Sequence, residues 1–236
     1  MSPGWLVIED LSALVDSAAR WIAAAVEEDV RALGHCALAL SGGATPRPVY
    51  ELLAHSPLAG RIAWPKVEIF FGDERAVPPA DPESNYAMAT AALLGRVPLP
   101  ATQIHRMEAE RPDLDAAARE YERVLPARLD LLLLGMGADA HTASLFPGSP
   151  ALEERRRRVV PATGPTPPRE RLTITPPVIA AARRVAVLVA GAEKAAAVAR
   201  AIRGPARPAE TPVQLALGGT WFVDREAAAQ LAGAAA

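Results

Sequence analysis

Cys36-Ala37-Leu38-Ala39-Leu40-Ser41-Gly42-Gly43-Ala44-Thr45-Pro46 is the stretch that decides the fold. Five apolar residues run without alternation and break on Ser-Gly-Gly, which reads as a strand buried on both faces entering a turn. Thr45 suits an N-cap. Pro46 suits the first helical position, where its missing N–H would have found no partner. Strand, glycine turn, helix is the unit of a parallel sheet with crossover helices.

The unit repeats outward from there. Leu11 to Leu33 carries apolar residues at helical spacing, and Pro46 to Ala54 continues as a helix. Val67 to Phe71, Leu129 to Leu134, Val185 to Val189 and Val213 to Leu217 read as further strands. Pro82 to Leu94, Leu114 to Leu125 and Gly191 to Ile202 read as helices. The expected fold is α/β, a mostly parallel, Rossmann-like sheet with helices on both faces, formed by residues 1–236 as a single domain. Pro161 to Glu170, with four prolines and a glycine, is expected to be a surface loop. Arg155 to Arg158 is expected to be a solvated helix face, and the alanine-rich tail after Asp224 a terminal helix.

Composition narrows the function. The 236 residues are half hydrophobic and carry 25 basic and 27 acidic side chains, a net charge of -2. Such a balance gives no electrostatic footprint for nucleic acid or an anionic membrane, so anion recognition must be local. No apolar run approaches the roughly 20 residues a membrane helix needs. Met1 to Ile8 lacks the basic and apolar regions of a signal peptide. The single cysteine, Cys36, excludes an intrachain disulfide and fits a reducing compartment; the expected location is cytoplasmic. Cys/His clusters with zinc spacing are absent from the sequence, and no metal is expected.

In open α/β sheets ligands bind at the carboxyl ends of the strands, and the polar, glycine-rich segments fall there. The first is Ser41 to Thr45. The amides of Gly42, Gly43, Ala44, Thr45 and Arg47 and the hydroxyls of Ser41 and Thr45 suit a phosphate monoester at a helix N-terminus. The second is Gly72-Asp73-Glu74-Arg75, where three consecutive charges at a sheet end are out of place in a core and Arg75 can hold an anion bidentately. Ser84-Asn85-Tyr86 follows at a helix start, equally readable as a plain cap or as part of a site.

The third segment is Gly135-Met136-Gly137-Ala138-Asp139-Ala140-His141. It matches a dinucleotide fingerprint only mechanically: the next residues run into Pro147-Gly148, and no acid lies where a ribose would need one. Asp139 and His141 are the stronger signal. A histidine beside a carboxylate in a glycine-rich loop is a candidate general base. His35, His55 and His105 lack such surroundings. Arg171 and Lys194 supply cations near further strand ends and matter if the chain brings them to the cradle.

Taken together, these segments resemble the 6-phosphogluconolactonases. The resemblance rests on Ser41-Gly42-Gly43-Ala44-Thr45-Pro46, on Gly72-Asp73-Glu74-Arg75 with Val77-Pro78 and Ser84-Asn85-Tyr86, on Leu134 to Gly137 through Asp139, His141 and Thr142 to Pro147, on Arg171-Leu172-Thr173, and on Gly191 with Lys194. It implies a fold shared with glucosamine-6-phosphate deaminases and, more distantly, ribose-5-phosphate isomerases. It implies hydrolysis of a sugar-phosphate lactone in the oxidative pentose phosphate pathway, with no metal or organic cofactor. The catalytic residues implied are His141 and Asp139; the substrate- and phosphate-binding residues are Ser41, Gly42, Gly43, Thr45, Asp73, Arg75, Arg171 and Lys194. The expected partner is the small-molecule lactone, the expected assembly a monomer or weak homodimer.

The alternatives are an amino-sugar-phosphate isomerase or deaminase and a non-catalytic sugar-phosphate sensor. The deaminase branch typically carries a glutamate where this chain has Phe146, which argues against the first, and a sensor needs neither Asp139 nor His141. The family also has proline and glycine where this chain has Ala138 and Ala140. Ala140 is strained if that position needs a positive φ.

Overall fold

The computed structural model describes residues 4–231. Met1–Pro3 and residues 232–236, which include part of the single-domain and terminal-helix expectations, lie outside the described residues. Six strands form a parallel sheet: β1 (Gly4–Ile8), β2 (Cys36–Leu40), β3 (Val67–Phe71), β5 (Leu131–Gly135), β8 (Arg184–Val189) and β9 (Thr220–Asp224). Their spatial order is β1-β9-β8-β5-β2-β3, every neighbour parallel. All carboxyl ends therefore lie along one edge. From β2 the chain goes to β3 on one side and then to β5 on the other, so the β2/β5 crevice is the topological switch point where such sheets bind ligands.

The unbroken apolar runs are buried as their lack of alternation requires: every residue of β2 is buried, and so are Leu131–Leu134. Cutting one such leucine to alanine in a core typically costs about 2–5 kcal/mol. Helix α1 (Leu11–Leu33) lays Leu14, Ala18, Ile22 and Val26 into this core. Asp10 caps it by accepting the Ala13 amide at 2.8 Å. The buried carboxylate of Asp29 near the helix end pairs with Arg183 at 2.9 Å and with Arg184, tying α1 to the start of β8. Helices α2 (Pro46–Leu53), α3 (Leu58–Arg61), α4 (Asn85–Ala89), α5 (Leu114–Val124), α6 (Pro176–Ala181) and α7 (Ala195–Arg203) complete the helical layers. Cys36 is fully buried, as a small core residue; burial pushes its thiol far above the ordinary range.

Several sequence expectations are corrected. Val213–Leu217 is not a strand: Pro212–Ala216 is a 3-10 helix, and the strand is β9. A short apolar run has no periodicity to separate the two, and the buried Gln214 side chain here bridges the Ala201 and Pro205 carbonyls to the Arg207 amide. Helix α4 begins at Asn85 rather than Pro82, because Ser84 caps it by accepting the Ala87 amide, and it ends in a π-helical turn over Thr90–Leu94. Gly191–Ile202 opens with a 3-10 turn, Ala192–Lys194, before α7. The described residues after Asp224 form turns, not a helix.

The sequence reading also misses a second sheet. Strands β4 (Asp73–Arg75), β7 (Glu170–Ile174) and β6 (Val159–Thr163) pair antiparallel in the order β4-β7-β6. The expected 161–170 surface loop is thus a hairpin whose connection is 164–169. Arg155–Arg158 is no solvated helix face. Glu154 accepts the amides of Arg155, Arg156 and Arg157, Arg157 pairs with Asp115 and Glu122, and Arg158 donates to the Leu125 and Pro126 carbonyls. Arg157 and Arg158 anchor the hairpin to α5, while Arg155 and Arg156 are exposed.

Candidate functional site

A cleft of about 590 Å³ opens at the carboxyl edge of the parallel sheet. Its walls include Ser41, Gly42, Gly43, Thr45, Asp73, Arg75, His141, Arg171 and Lys194. Asp139 stands behind His141 rather than on the wall. Nine of the ten expected site residues therefore line one cleft and Asp139 reaches it through His141, whereas His35, His55 and His105 are not part of it.

The cradle follows β2. Tyr50, buried on α2, accepts the Ser41 amide at 2.9 Å and donates to the Ser41 carbonyl at 2.8 Å, which pins the first residue of the turn. The amides of Gly42, Gly43, Ala44 and Thr45 donate to no other described residue. Thr45 itself is helical (φ -70°, ψ -45°), and its hydroxyl makes no cap, contrary to its expected role. Four orphan N–H groups at a helix start form a cavity for an anion. Asn85 closes one side. A Cβ on Gly42 would lie 1.8 Å from Asn85 Oδ1, so only glycine fits there.

The second sheet brings the cations. Arg75 and Arg171 are direct partners in the β4/β7 register. Arg171 is only 8% exposed, and the Nε atoms of both guanidinium groups are buried without a hydrogen-bond partner among the described residues. Burial and the neighbouring Arg75 lower the Arg171 pKa, so the site is charged at a cost that an anion would offset. Arg75 donates one N–H to the Glu83 carbonyl. Lys194, on the 3-10 turn after β8, lies 3.9 Å from Glu193 at the cleft rim.

The two acids of Gly72-Asp73-Glu74-Arg75 turn out to be organisers. Glu74, buried, accepts from the amides of Arg75, Asn85 and Tyr86 and from the Ser84 hydroxyl, all at 2.8–2.9 Å. Burial pushes its carboxyl up, and these donors oppose the shift. Asp73 accepts the Ser144 hydroxyl at 2.6 Å and the Asn85 side-chain amide at 3.2 Å. It borders the cleft, and its carboxylate also holds Ser144, on the loop that carries His141, and Asn85. The Ser144 amide, in turn, donates to Thr173 of β7 at 3.1 Å. The Arg75–Arg171 pair presents arginines, and the Asp73–Thr173 pair, two positions along, grips the loop that carries His141.

That loop is a tight turn after β5. Gly137 N–H donates to the His141 carbonyl and Ala140 N–H to the Gly137 carbonyl. Asp139 Oδ1 receives His141 Nδ1 at 2.6 Å and the His141 amide at 3.1 Å. A carboxylate accepts only, so Nδ1 carries a proton, and in the neutral ring Nε2 keeps its lone pair, with no partner among the described residues. Burial raises the Asp139 pKa, but the His141 ring and amide outweigh it and hold the carboxyl below its ordinary value. A folded pKa below the unfolded one gives stability that is present above the ordinary carboxylate range and is lost as pH falls through the folded value. In pH-dependent thermal melts, wild type is expected to outlast Asp139→Asn near neutrality and to lose that margin in acid.

Ala140 adopts φ +73° with its side chain fully buried. The anticipated strain is real, about 1–2 kcal/mol for a left-handed residue. Ala140→Gly removes it but gives up about 0.8 kcal/mol of methyl burial and about 0.5–1 kcal/mol of glycine entropy. The terms cancel, so the melting temperature of Ala140→Gly is expected to stay within about 4 °C of wild type. A larger rise would mean the strain is underestimated.

Two contributors escaped the sequence reading. Tyr50 has no local signal, because its partner is the turn of the preceding strand. Asn85, in a segment readable as a cap or as part of a site, borders the cleft. Asp224, at the end of β9, accepts the Gly191 amide at 3.0 Å and the Ala227 amide at 2.8 Å, positioning the turn before Lys194. Among the described residues no group of three or more His, Cys, Asp or Glu side chains converges as a metal site, and no helix is long and apolar enough to cross a membrane.

Comparison with known proteins adds to this geometry. Residues 9–223 match the family model described as glucosamine-6-phosphate isomerases/6-phosphogluconolactonase. A 6-phosphogluconolactonase of Mycobacterium tuberculosis is 41% identical, with 98% of this chain and 99% of that protein covered. One of Streptomyces coelicolor is 36% identical, covering 98% and 95%. The solved 6-phosphogluconolactonase of Trypanosoma brucei superposes with a TM-score of 0.85 at 28% identity, over 98% of this chain and 99% of that one. A monomeric glucosamine-6-phosphate deaminase, at 23% identity and a TM-score of 0.83 over 98% and 100%, shares the fold. By sequence over nearly its whole length, the chain belongs to the glucosamine-6-phosphate isomerase/6-phosphogluconolactonase family.

Proposed function

We propose that this protein hydrolyses 6-phospho-D-glucono-1,5-lactone to 6-phospho-D-gluconate, within the oxidative pentose phosphate pathway. The observation that carries the reading is a histidine base, oriented by Asp139, opening onto a cleft with two further walls. One holds four orphan amides, and the other holds two arginines in register.

The phosphate is held by the Gly42–Thr45 amides together with Arg75 and Arg171, and Lys194 adds charge at the rim. Nε2 of His141 takes a proton from water as the oxygen adds to the lactone carbonyl. The imidazolium, stabilised by Asp139, then returns the proton to the departing ring oxygen. Bond making and breaking balance without a covalent enzyme intermediate. General acid–base help is worth about 10²–10⁴-fold, and anchoring the phosphate supplies the positioning. Asp73, on the cleft wall, orders Ser144 and Asn85.

The amino-sugar isomerase reading calls for a carboxylate where Phe146 stands, and an apolar ring can neither give nor take a proton. A sensor needs the cradle but not an Asp139–His141 pair. The lone buried cysteine suits a reducing, cytoplasmic location, and among the described residues no helix is long and apolar enough to cross a membrane; the protein acts as a single domain, monomer or weak homodimer. Assay on 6-phosphogluconolactone and on glucosamine 6-phosphate tests the reading. Lactone opening without ammonia release is expected, and ammonia release from the amino sugar would overturn the branch assignment.

A further inference from the structure

Phe146 lies where two cavities meet. On one side it lines the catalytic cleft; on the other it lines a second groove of about 550 Å³, shared with Asp139, Gly148, Thr163 and Pro165. Its ring centroid is 4.6 Å from that of His141, with the planes tilted by 44°. A Cβ on Gly164 would come within 3.3 Å of Phe146 Cζ, so the backbone of the β6–β7 connection rests against the far edge of the ring. Phe146 is 9% exposed, and its carbonyl accepts the Ser149 amide at 2.9 Å. The ring is wedged between the imidazole and the hairpin.

His141 needs such a wedge. Its side chain is 31% exposed and that of Asp139 is 42% exposed, and one side-chain hydrogen bond joins them. A single bond at Nδ1 leaves the ring free to swing about it, and water can compete for the Asp139 carboxylate. An aromatic neighbour at this distance gives the imidazole a fixed face to pack on and excludes water from that side.

We propose that Phe146 is a positioning residue for His141, holding the imidazole on Asp139 and walling the catalytic cleft from the groove behind it. This deepens the hydrolase reading and rests on His141 as its base. The side chain acts through His141 and does not touch the reacting atoms.

The test uses Phe146→Ala, Phe146→Val and Phe146→Leu in the full chain, with two measurements. The first is steady-state lactone hydrolysis. Truncation to alanine is expected to lower kcat by about 10²-fold through misplacement of the base, with KM unchanged within about twofold because the phosphate contacts remain. Leucine, which refills most of the space, is expected to restore most of kcat, with valine between. The second is the proton spectrum of the free protein. The Nδ1–H of His141, held by Asp139, is expected as a far-downfield resonance in wild type and the leucine variant, and to broaden by exchange in the alanine variant. The graded series keeps the test alive if the alanine variant fails to fold.

Full kcat and an unchanged resonance in the truncated variants overturn the proposal, as does a loss confined to KM. The spectrum needs no substrate. If wild type fails to open the lactone yet the resonance depends on Phe146, the hydrolase reading falls and the positioning role stands.

Discussion

Gly137→Ala is expected to fold and to be nearly inert. An added Cβ would lie 2.1 Å from His141 Nδ1, 2.2 Å from His141 Cε1 and 2.5 Å from Asp139 Oδ1. All three separations are far below van der Waals contact, so one methyl group pushes directly into the hydrogen bond between acid and base. The side chains must part, because the backbone around Gly137 is fixed by its own bonds to His141 and Ala140. A base displaced by about 1 Å loses on the order of 10²-fold in rate. Thermal unfolding and phosphate binding are expected to change little, since the core strand β5 and the cradle are untouched. Activity within a few-fold of wild type would show that the loop adapts and that the pair is not held by this close approach.

His141→Ala is expected to show the largest loss, about 10²–10⁴-fold in kcat, with substrate binding retained. Asp139→Asn is expected to lose less. It removes the carboxylate that stabilises the imidazolium and fixes the tautomer but keeps the ring. In the double variant the two losses should not add, because Asp139 acts only through His141. A full additive loss would give Asp139 its own contact with substrate.

The parallel sheet was legible because β2, β5 and all but one residue each of β3 and β8 are apolar, and glycine or polar residues follow within two positions. β9 was missed because Thr220-Trp221-Phe222-Val223-Asp224 follows an equally apolar segment that folds as a 3-10 helix. The antiparallel sheet was hidden for another reason. β4 has three charged residues, and β6 contains Pro161 and leads into a proline-rich connection, so neither carries a strand pattern. Their pairing depends on contacts distant in the chain.

The site was legible to the same extent. Glycine turns and isolated charges at strand ends marked the cradle, the arginine pair, His141 and Lys194, but not Asp224 or Glu226, which also line the cleft. The roles of Asp73 and Glu74 were not legible, since they are set by Ser144, Ser84, Asn85 and Tyr86. Nothing local in the sequence announces those partnerships. Ala140 shows the reverse case: its strain was readable from the motif, and the turn does hold it at positive φ.

The measurement that bears most directly on the account is the opening of freshly generated 6-phosphoglucono-δ-lactone, followed with spontaneous hydrolysis subtracted, by wild type and His141→Ala in parallel. Acceleration by wild type is expected to disappear in the variant while phosphate binding to both proteins stays equal. Folded wild type that leaves the spontaneous rate unchanged, or acceleration that survives the loss of His141, would contradict it.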